Sequence, residues 1–556
     1  MVTVARWWRR VMLLVVVLAL AAGMPAPAGA AQPPAGAVWH ETYIATPDGE
    51  RLHVDVLRPE DLTDQDKTPV ILVVSPYIGD VGPSNRFFDF FDGAKVFDRG
   101  YSVVMVSTRG TGGSSGCIDI LGPGEQTDIV TAVRWAATQP WSTGSVGMYG
   151  KSYDGNTGAA AAALRPPGLK AVVTQAIAPD RYGGSYNDRV RLLQSLAYPA
   201  IYQQSATGQG YPGRLNDPAY TTNVASGGKD CHVRLTEHYL EDPQRDFWQV
   251  RDFVERAEGS TVPTFITAGY LDNATNIGAG AVDLFNALAG PKRLWLGWWA
   301  HDRGNDVVNG QLAAGRQGFF DEVMRFYDEH LKGEAGLTAG DPVIAAQGSD
   351  GTWRAETSWP PADAVDHTAA LLSGSYRDDN RNRGSRVSGP GGAVGVNSAY
   401  GAGVWTFSRP LTERRQIAGI PSAVVNVNPQ APRTNVVVNV YDVAPDGTAT
   451  MLTRGAALVD AATSKKVRLW PTDWTLEAGH RLGVLVSGAN TEAYTHVPTN
   501  TTVTVTGGEV TLPVLSAVRS ADLEGAPSPR LLDYRRNAPF TVDAATIEAN
   551  TNPDFD

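Results

Sequence analysis

Cysteine is nearly missing from this chain: Cys117 and Cys231 are the only two in 556 residues, which excludes a small scaffold built on disulfides. Clusters of basic residues are also lacking beyond the first ten positions, and a net charge of -11 would repel a phosphate backbone. Nucleic acid is therefore not an expected partner. After the N-terminus no run reaches the roughly twenty apolar residues of a membrane-spanning helix. Neither H-E-x-x-H nor G-x-x-x-x-G-K-[ST] occurs, so no zinc helix or phosphate loop is expected, and nothing calls for a cofactor. No fixed-period repeat is present.

What is there begins with ARWWRR, the apolar run VMLLVVVLALAA and the small residues MPAPAGAAQPP. That order of charged, apolar and small segments reads as an export signal over residues 1–30, cleaved after Ala28-Gly29-Ala30. The expected location is secreted or at the cell envelope, with no integral membrane span once the signal is removed. In an oxidising compartment Cys117 and Cys231 can join, and closing so long a loop would stabilise by up to roughly 4–5 kcal/mol in the chain-entropy model. Two separate thiols are the other reading.

The remaining length calls for more than one core. Between residues 38 and 335 the strand candidates PVILVVSPY, YSVVMVST, SVGMYG, LKAVVTQAI, PTFITAGY and KRLWLGWW alternate with helical patterns, the signature of a parallel sheet covered by helices. QTDIVTAVRWAATQ carries a helical period, and FFDEVMRFYDEHLKG reads as a last helix ending at Gly333. Residues 181–258 interrupt the rhythm with segments that read as helices without strands between them, an expected cap inserted over the sheet. From 340 to 556 short period-2 strands separated by turn signals predict an all-β sandwich. Within it, YDVAPDGT reads as a hairpin turn rather than a calcium loop.

VGMYGKSYDG supplies a strand, a cramped turn and, with NTGAAAAAL, a helix. Such a turn makes a serine protrude where a base can reach it, and aims the backbone N–H of Tyr153 at a developing oxyanion. In such a fold an acid and then a histidine should follow on loops after later strands. PTFITAGY leads to Asp272, and KRLWLGWW leads to His301. Among nine histidines, only His301 follows a late strand. Ser152 is thus the expected nucleophile, His301 the base and Asp272 the residue that orients it; the adjacent Asp302 is poorly placed for that role. Tyr77, after an early strand, either donates a second oxyanion hydrogen bond through its phenol or merely packs. RGTGGSSG lacks the helix a dinucleotide fingerprint needs, and reads as a structural loop.

VSTRGTGGSSG, GPGEQTDIVTAVRWAATQPWSTGSVGMYGKSYDG, AGYLDN and GWWAHD together resemble the Xaa-Pro dipeptidyl-peptidase and cocaine-esterase family of α/β-hydrolases, across nearly the whole mature chain. The resemblance implies a C-terminal jelly roll and a G-x-S-Y-x-G elbow, matched by Gly150, Ser152, Tyr153 and Gly155. It also implies the triad Ser152, Asp272 and His301, with the Tyr77 hydroxyl and the Tyr153 N–H forming the oxyanion hole. One departure stands at Ser107-Thr108-Arg109, where the family often has an aspartate near the arginine, so a structural ion pair of Arg109 is not assured. The expected activity is release of N-terminal Xaa-Pro dipeptides, with ester or amide acyl hydrolysis by the same triad as the alternative. The substrate is a short peptide or a small ester. A peptidase of that kind needs a carboxylate to hold the free ammonium; Asp180, Asp188 and Glu237 are available in the cap, and position singles out none. An esterase needs an apolar pocket, to which Trp298 and Trp299 are candidates, unless they pack sheet against jelly roll. A binding protein with an inactive hydrolase domain is opposed by the complete Ser, Asp and His set.

Overall fold

The computed structural model describes residues 33–63, 65–78, 88–207, 222, 232–275, 277–379, 403–490, 492–537 and 539–555. The candidate export signal and Cys231 lie outside them. Ten strands form one sheet: β1 (Ala37–Ala45), β2 (Arg51–Pro59), β3 (Thr68–Ser75), β4 (Ser102–Ser107), β5 (Ser142–Lys151), β6 (Leu169–Gln175), β7 (Thr264–Gly269), β8 (Lys292–Gly297), β9 (Ile344–Gln347) and β10 (Trp353–Glu356). Their spatial order is 1-2-4-3-5-6-7-8-9-10. From β4 to β9 neighbouring strands are parallel, whereas β1, β2 and β10 run antiparallel at the edges.

A parallel sheet covered on both faces needs strands that are apolar throughout, because successive side chains point to opposite sides. In β3, Val70, Leu72 and Val74 join one core, together with α1 (Pro123–Thr138), α2 (Tyr153–Leu164) and the described part of the helix Ile277–Ala287. Ile71 and Val73 join a second core on the opposite face, with the helix Phe319–Tyr327. That last helix continues through one π turn to Gly333 at φ 78°, the expected stop.

The sheet runs past residue 335, the expected end of the catalytic unit. Ile344–Gln347 is wholly buried and pairs parallel with β8, so the apolar edge of β8 is completed by chain that composition alone assigns to the β domain. The cap also departs from expectation. It contains a two-residue hairpin, Tyr186–Asn187 with Val190–Arg191, and EDPQRDFWQVRDFVERA is split into two single-turn helices. Asp252 causes the split, since its carboxylate accepts from Val254 N and Glu255 N and caps the second turn.

Two antiparallel sheets of seven and five strands form the C-terminal sandwich, with alternate residues of Thr434–Val443 and Thr502–Leu515 meeting between them. The APDG segment is the expected hairpin turn, Gly447 standing at φ 85°. Trp298 crosses to this domain, packing 5.1 Å from Trp474 and donating to Asp473 O at 3.1 Å. Trp299 stacks on Trp353. Both tryptophans are buried, Trp298 packing between sheet and sandwich and also lining a small cavity with Leu271, Asn273 and Arg454. Arg354 of β10 and Asp473 of the sandwich form a buried ion pair at 2.5 Å, the other Asp473 oxygen accepting from Gln416 at 2.7 Å.

Removing Asp473 leaves Arg354 paired with Glu356 at 2.8 Å, so the loss is that of hydrogen bonds to a charged group, about 1.5–3 kcal/mol. Asp473→Ala should lower stability by that amount in urea unfolding followed by tryptophan fluorescence. Asp473→Asn, which keeps the Gln416 contact, should lose less.

Candidate active site

Ser152 sits between β5 and α2 at φ 62° and ψ -123°, a region that costs a non-glycine residue roughly 1–3 kcal/mol. Backbone hydrogen bonds hold it there: Ser152 N donates to Gln175 O at 2.9 Å, and Ser152 O accepts from Asn156 N at 2.8 Å. The flanking glycines are required by contact. A Cβ at position 150 would lie 2.3 Å from the Asp154 carbonyl oxygen, and one at 155 would lie 2.8 Å from Gln175 O. The second close approach falls at 155 rather than 154, which is why aspartate is tolerated at the usual second glycine position.

Strands β5, β6, β7 and β8 are adjacent and parallel, so their carboxyl ends open on one edge of the sheet. That topology carries Ser152, Asp272 and His301 to the same edge. His301 Nδ1 lies 2.8 Å from Asp272 Oδ2. Asp272 also accepts from Thr275 Oγ1 at 2.8 Å and Ala274 N at 2.8 Å. Burial alone would raise the Asp272 carboxyl, but His301, these hydrogen bonds and the charge of Lys151 hold it below its ordinary value. It is an anion at neutral pH, as a partner that fixes a histidine tautomer must be. Asp302 is engaged elsewhere, by Ala300 N and Arg530. The histidine loop is tied down on both sides, since Leu271 N donates to Trp299 O at 3.0 Å and Gly304 N to Gln175 Oε1 at 3.0 Å.

Tyr153 opens α2, so its backbone N–H is among those a helix leaves without an internal partner. Tyr77 follows β3, the neighbour of β5, and its ring stands edge-on to that of Tyr153 at 6.2 Å. The Tyr153 phenol donates to the buried Glu125 carboxylate and accepts from Leu121 N at 3.1 Å. Glu125 collects three further backbone N–H groups, from Asp119, Ile120 and Leu121. Sequence reasoning missed this residue, although its place at the start of α1, ahead of the elbow, was a usable signal.

Arg109 does form ion pairs, contrary to what the absent neighbouring aspartate suggests. It binds Asp128 at 2.6 Å and Asp48 at 2.7 Å; partners distant in sequence supply the charge. The RGTGGSSG loop is structural, its Ser114 Oγ bridging Ser107 O and His53 N at 2.8 Å each. Cys117 is disulfide-bonded.

The three cap carboxylates do not gather at the candidate triad. Asp188 pairs with Lys465 at 2.6 Å. Asp180 accepts from Tyr182 N and faces Asp252, and burial together with that neighbour pushes it up to about 6. Glu237 is exposed and lines a different cleft, beside Asp48, Arg109 and Arg251. The cap also buries a cation. Arg181, 3% exposed, leaves the loop after β6 and donates to Tyr202 Oη at 3.3 Å. Tyr202 packs 5.0 Å from Tyr153. Burial raises the Tyr198 phenol, whose ring lies 5.9 Å from the Arg181 guanidinium.

A serine on a strained strand-to-helix turn, with Asp and His following on later strand ends of a mostly parallel sheet, defines an α/β-hydrolase fold. Residues 48–303 match the X-Pro dipeptidyl-peptidase (S15 family) model, and 336–532 match the X-Pro dipeptidyl-peptidase C-terminal non-catalytic domain. The chain belongs to the Xaa-Pro dipeptidyl-peptidase and cocaine-esterase family and is a hydrolase. It is 26% identical over 536 residues to cocaine esterase of Rhodococcus sp. (strain MB1 Bresler), covering 80% of this chain and 90% of that one. A provisionally named Xaa-Pro dipeptidyl-peptidase of Bacillus cereus is 25% identical, covering 84% and 87%. A CocE/NonD family hydrolase from Staphylococcus aureus shares the fold, with a TM-score of 0.67 at 16% identity over 86% of this chain and 94% of that one.

Burial, with the Asp119 charge adding to it, pushes Glu125 up to about 8. A group raised on folding binds its proton more tightly in the folded state, so stability falls as pH rises from about 4.5 towards 8. Glu125→Gln should flatten that part of the profile of thermal midpoint against pH.

Proposed function

We propose that the protein is an exported serine hydrolase that cleaves small carboxylic esters or amides through an acyl-enzyme on Ser152. The observation that carries this reading is the His301–Asp272 contact at 2.8 Å, on the sheet edge where the strained Ser152 protrudes. With Nδ1 committed to Asp272, His301 keeps Nε2 for the serine proton. It then returns that proton to the leaving group, and repeats both transfers with water. The Tyr153 N–H and the Tyr77 hydroxyl stabilise the tetrahedral oxyanion. Residues 38–335 form the catalytic unit with 181–258 as its cap, joined by the edge strands β9 and β10, and the sandwich follows. Export is supported by the N-terminal signal pattern and by the disulfide-bonded Cys117.

Release of Xaa-Pro dipeptides is the second reading, favoured by the family models. It requires a carboxylate beside the acyl site; of the three acids considered, Asp188 is paired with Lys465, Asp180 accepts from Tyr182 N and Glu237 lines another cleft. The ester and amide reading makes no such demand.

Ser152→Ala should reduce kcat by roughly 10⁵–10⁶-fold with an unchanged circular dichroism spectrum, and Asp272→Asn by about 10⁴-fold. Retained activity in Ser152→Ala would overturn the nucleophile. Comparing kcat/KM on Ala-Pro-anilide, its N-acetyl form and a short-chain acyl phenyl ester separates the readings. Preference for the ester supports acyl hydrolysis, and turnover of the free-amine peptide alone restores the dipeptidase.

A further inference from the structure

The Asp272 carboxylate takes its hydrogen bonds from its own loop and from His301. Besides the histidine, its donors are Ala274 N, Thr275 N and Thr275 Oγ1. The carboxylate therefore moves with that loop as one piece, and its place opposite His301 depends on how the loop is fastened to the rest of the chain. Towards the sheet, Leu271 N donates to Trp299 O at 3.0 Å and Asp272 N to Gly269 O at 3.1 Å. Towards the sandwich lies a cavity of about 30 Å³, lined by Leu271, Asn273, Trp298, Trp470 and Glu492 among others. On this side the loop forgoes part of the van der Waals contact that close packing would give.

One side chain crosses to the loop here. Arg454, on the sandwich strand Thr448–Val459, donates through Nη2 to Asn273 Oδ1. Among the described residues it makes the one hydrogen bond from the sandwich to residues 271–275. Asn273 stands inside the turn that Ala274 N closes on Asp272 Oδ1 at 2.8 Å, so a hold on its side chain is a hold on the carboxylate. The guanidinium is itself fixed. Arg454 is 6% exposed, its Nη1 pairs with Glu492 Oε2 at 3.2 Å, and its head lies 4.5 Å from the Trp470 ring. A planar group anchored on two sides presents its remaining donor in one direction. Arg468 also reaches the catalytic unit, but it is exposed and pairs with Asp283 on the helix beyond the loop.

We propose that Arg454 is a positioning residue for the triad, acting through Asn273 to hold the Asp272 carboxylate against His301 Nδ1, with Glu492 and Trp470 fixing Arg454 in turn. The proposal rests on the acyl-hydrolase reading and adds a residue of the sandwich to it.

The test measures turnover of the short-chain acyl phenyl ester by the full chain and its variants. Asn273→Ala, which leaves the Arg454–Glu492 pair in place, should lower kcat roughly ten- to hundredfold with KM unchanged, the cost of slightly misplacing a catalytic group. Asn273→Asp keeps an acceptor for Nη2 and should recover most of that loss. Arg454→Met combined with Glu492→Gln, so that no carboxylate is left buried alone, should lower kcat by the same factor. Adding Asn273→Ala to that pair should cost nothing more, because the residues act as one unit. A second readout needs no turnover. The proton between His301 Nδ1 and Asp272 gives a far low-field NMR signal, assigned by its loss in His301→Gln; it should shift or vanish in Asn273→Ala and return in Asn273→Asp. Wild-type kcat in Asn273→Ala, an unchanged signal, or losses that multiply when the variants are combined would overturn the role of Arg454. If wild type cleaves neither ester nor peptide, the hydrolytic reading fails and the signal alone decides. Its change in both Asn273→Ala and the Arg454 variant then supports the positioning role, and its persistence in either overturns it.

Discussion

The whole arrangement hangs on one strained residue. Ser152 occupies a backbone region that serine avoids, and it is held there by close packing on both sides. Gly150 runs against the Asp154 backbone and Gly155 against Gln175 O. Thr157 Oγ1 reaches Val74 O at 2.9 Å, and Thr174 Oγ1 reaches Gly155 O at 2.7 Å. These contacts tie the elbow to β3 and β6, its two neighbours across the sheet. The strain is sustained by the rigidity of the parallel strands around it, so the interior apolar residues of β3 and β6 also act on the chemistry by fixing where the turn can go.

The sandwich belongs to the same mechanical unit. Arg454 reaches Asn273, the residue after Asp272, and pairs with Glu492 at 3.2 Å. Burial raises Glu492 to about 7, against the opposing pull of Arg454. The cap is fastened to the sandwich as well, by Leu193 N to Ala493 O and by Arg433 to Glu241. A loop bearing an acid is mobile by default; here the acid-bearing loop is pressed between a sheet end and a second domain. That gives the C-terminal domain a share in the proposed triad geometry although it contributes none of the three residues.

Much of this was legible in the sequence because it follows from short-range rules. Continuous apolar runs gave the parallel strands, a glycine-flanked serine before a small-residue helix gave the elbow, and chain order gave Asp272 and His301. What was hidden depends on partners distant in sequence. Arg109 finds Asp48 and Asp128, sixty-one and nineteen residues away. Ile344–Gln347 reads as part of the β domain because four residues carry too little pattern to reveal a parallel neighbour. The role of Glu125 depends on a tyrosine twenty-eight residues later. Arg181 in APDRYGGSY looks like any loop arginine, and its burial depends on Tyr198 and Tyr202, seventeen and twenty-one residues later.

Charge, more than fold, separates substrates within this architecture. A serine, a histidine and an aspartate on a sheet edge act alike on any acyl group they can reach. The wall opposite decides which groups arrive, and its preference is set by whichever charge is left without a partner. In this chain Asp188 is paired with Lys465, Asp180 is buried facing Asp252 and Glu237 lines a different cleft, while Lys151, next to the proposed nucleophile, acts on Asp272. An electrostatic wall of that sign selects against amines and for acids over several ångströms, because buried charges are weakly screened.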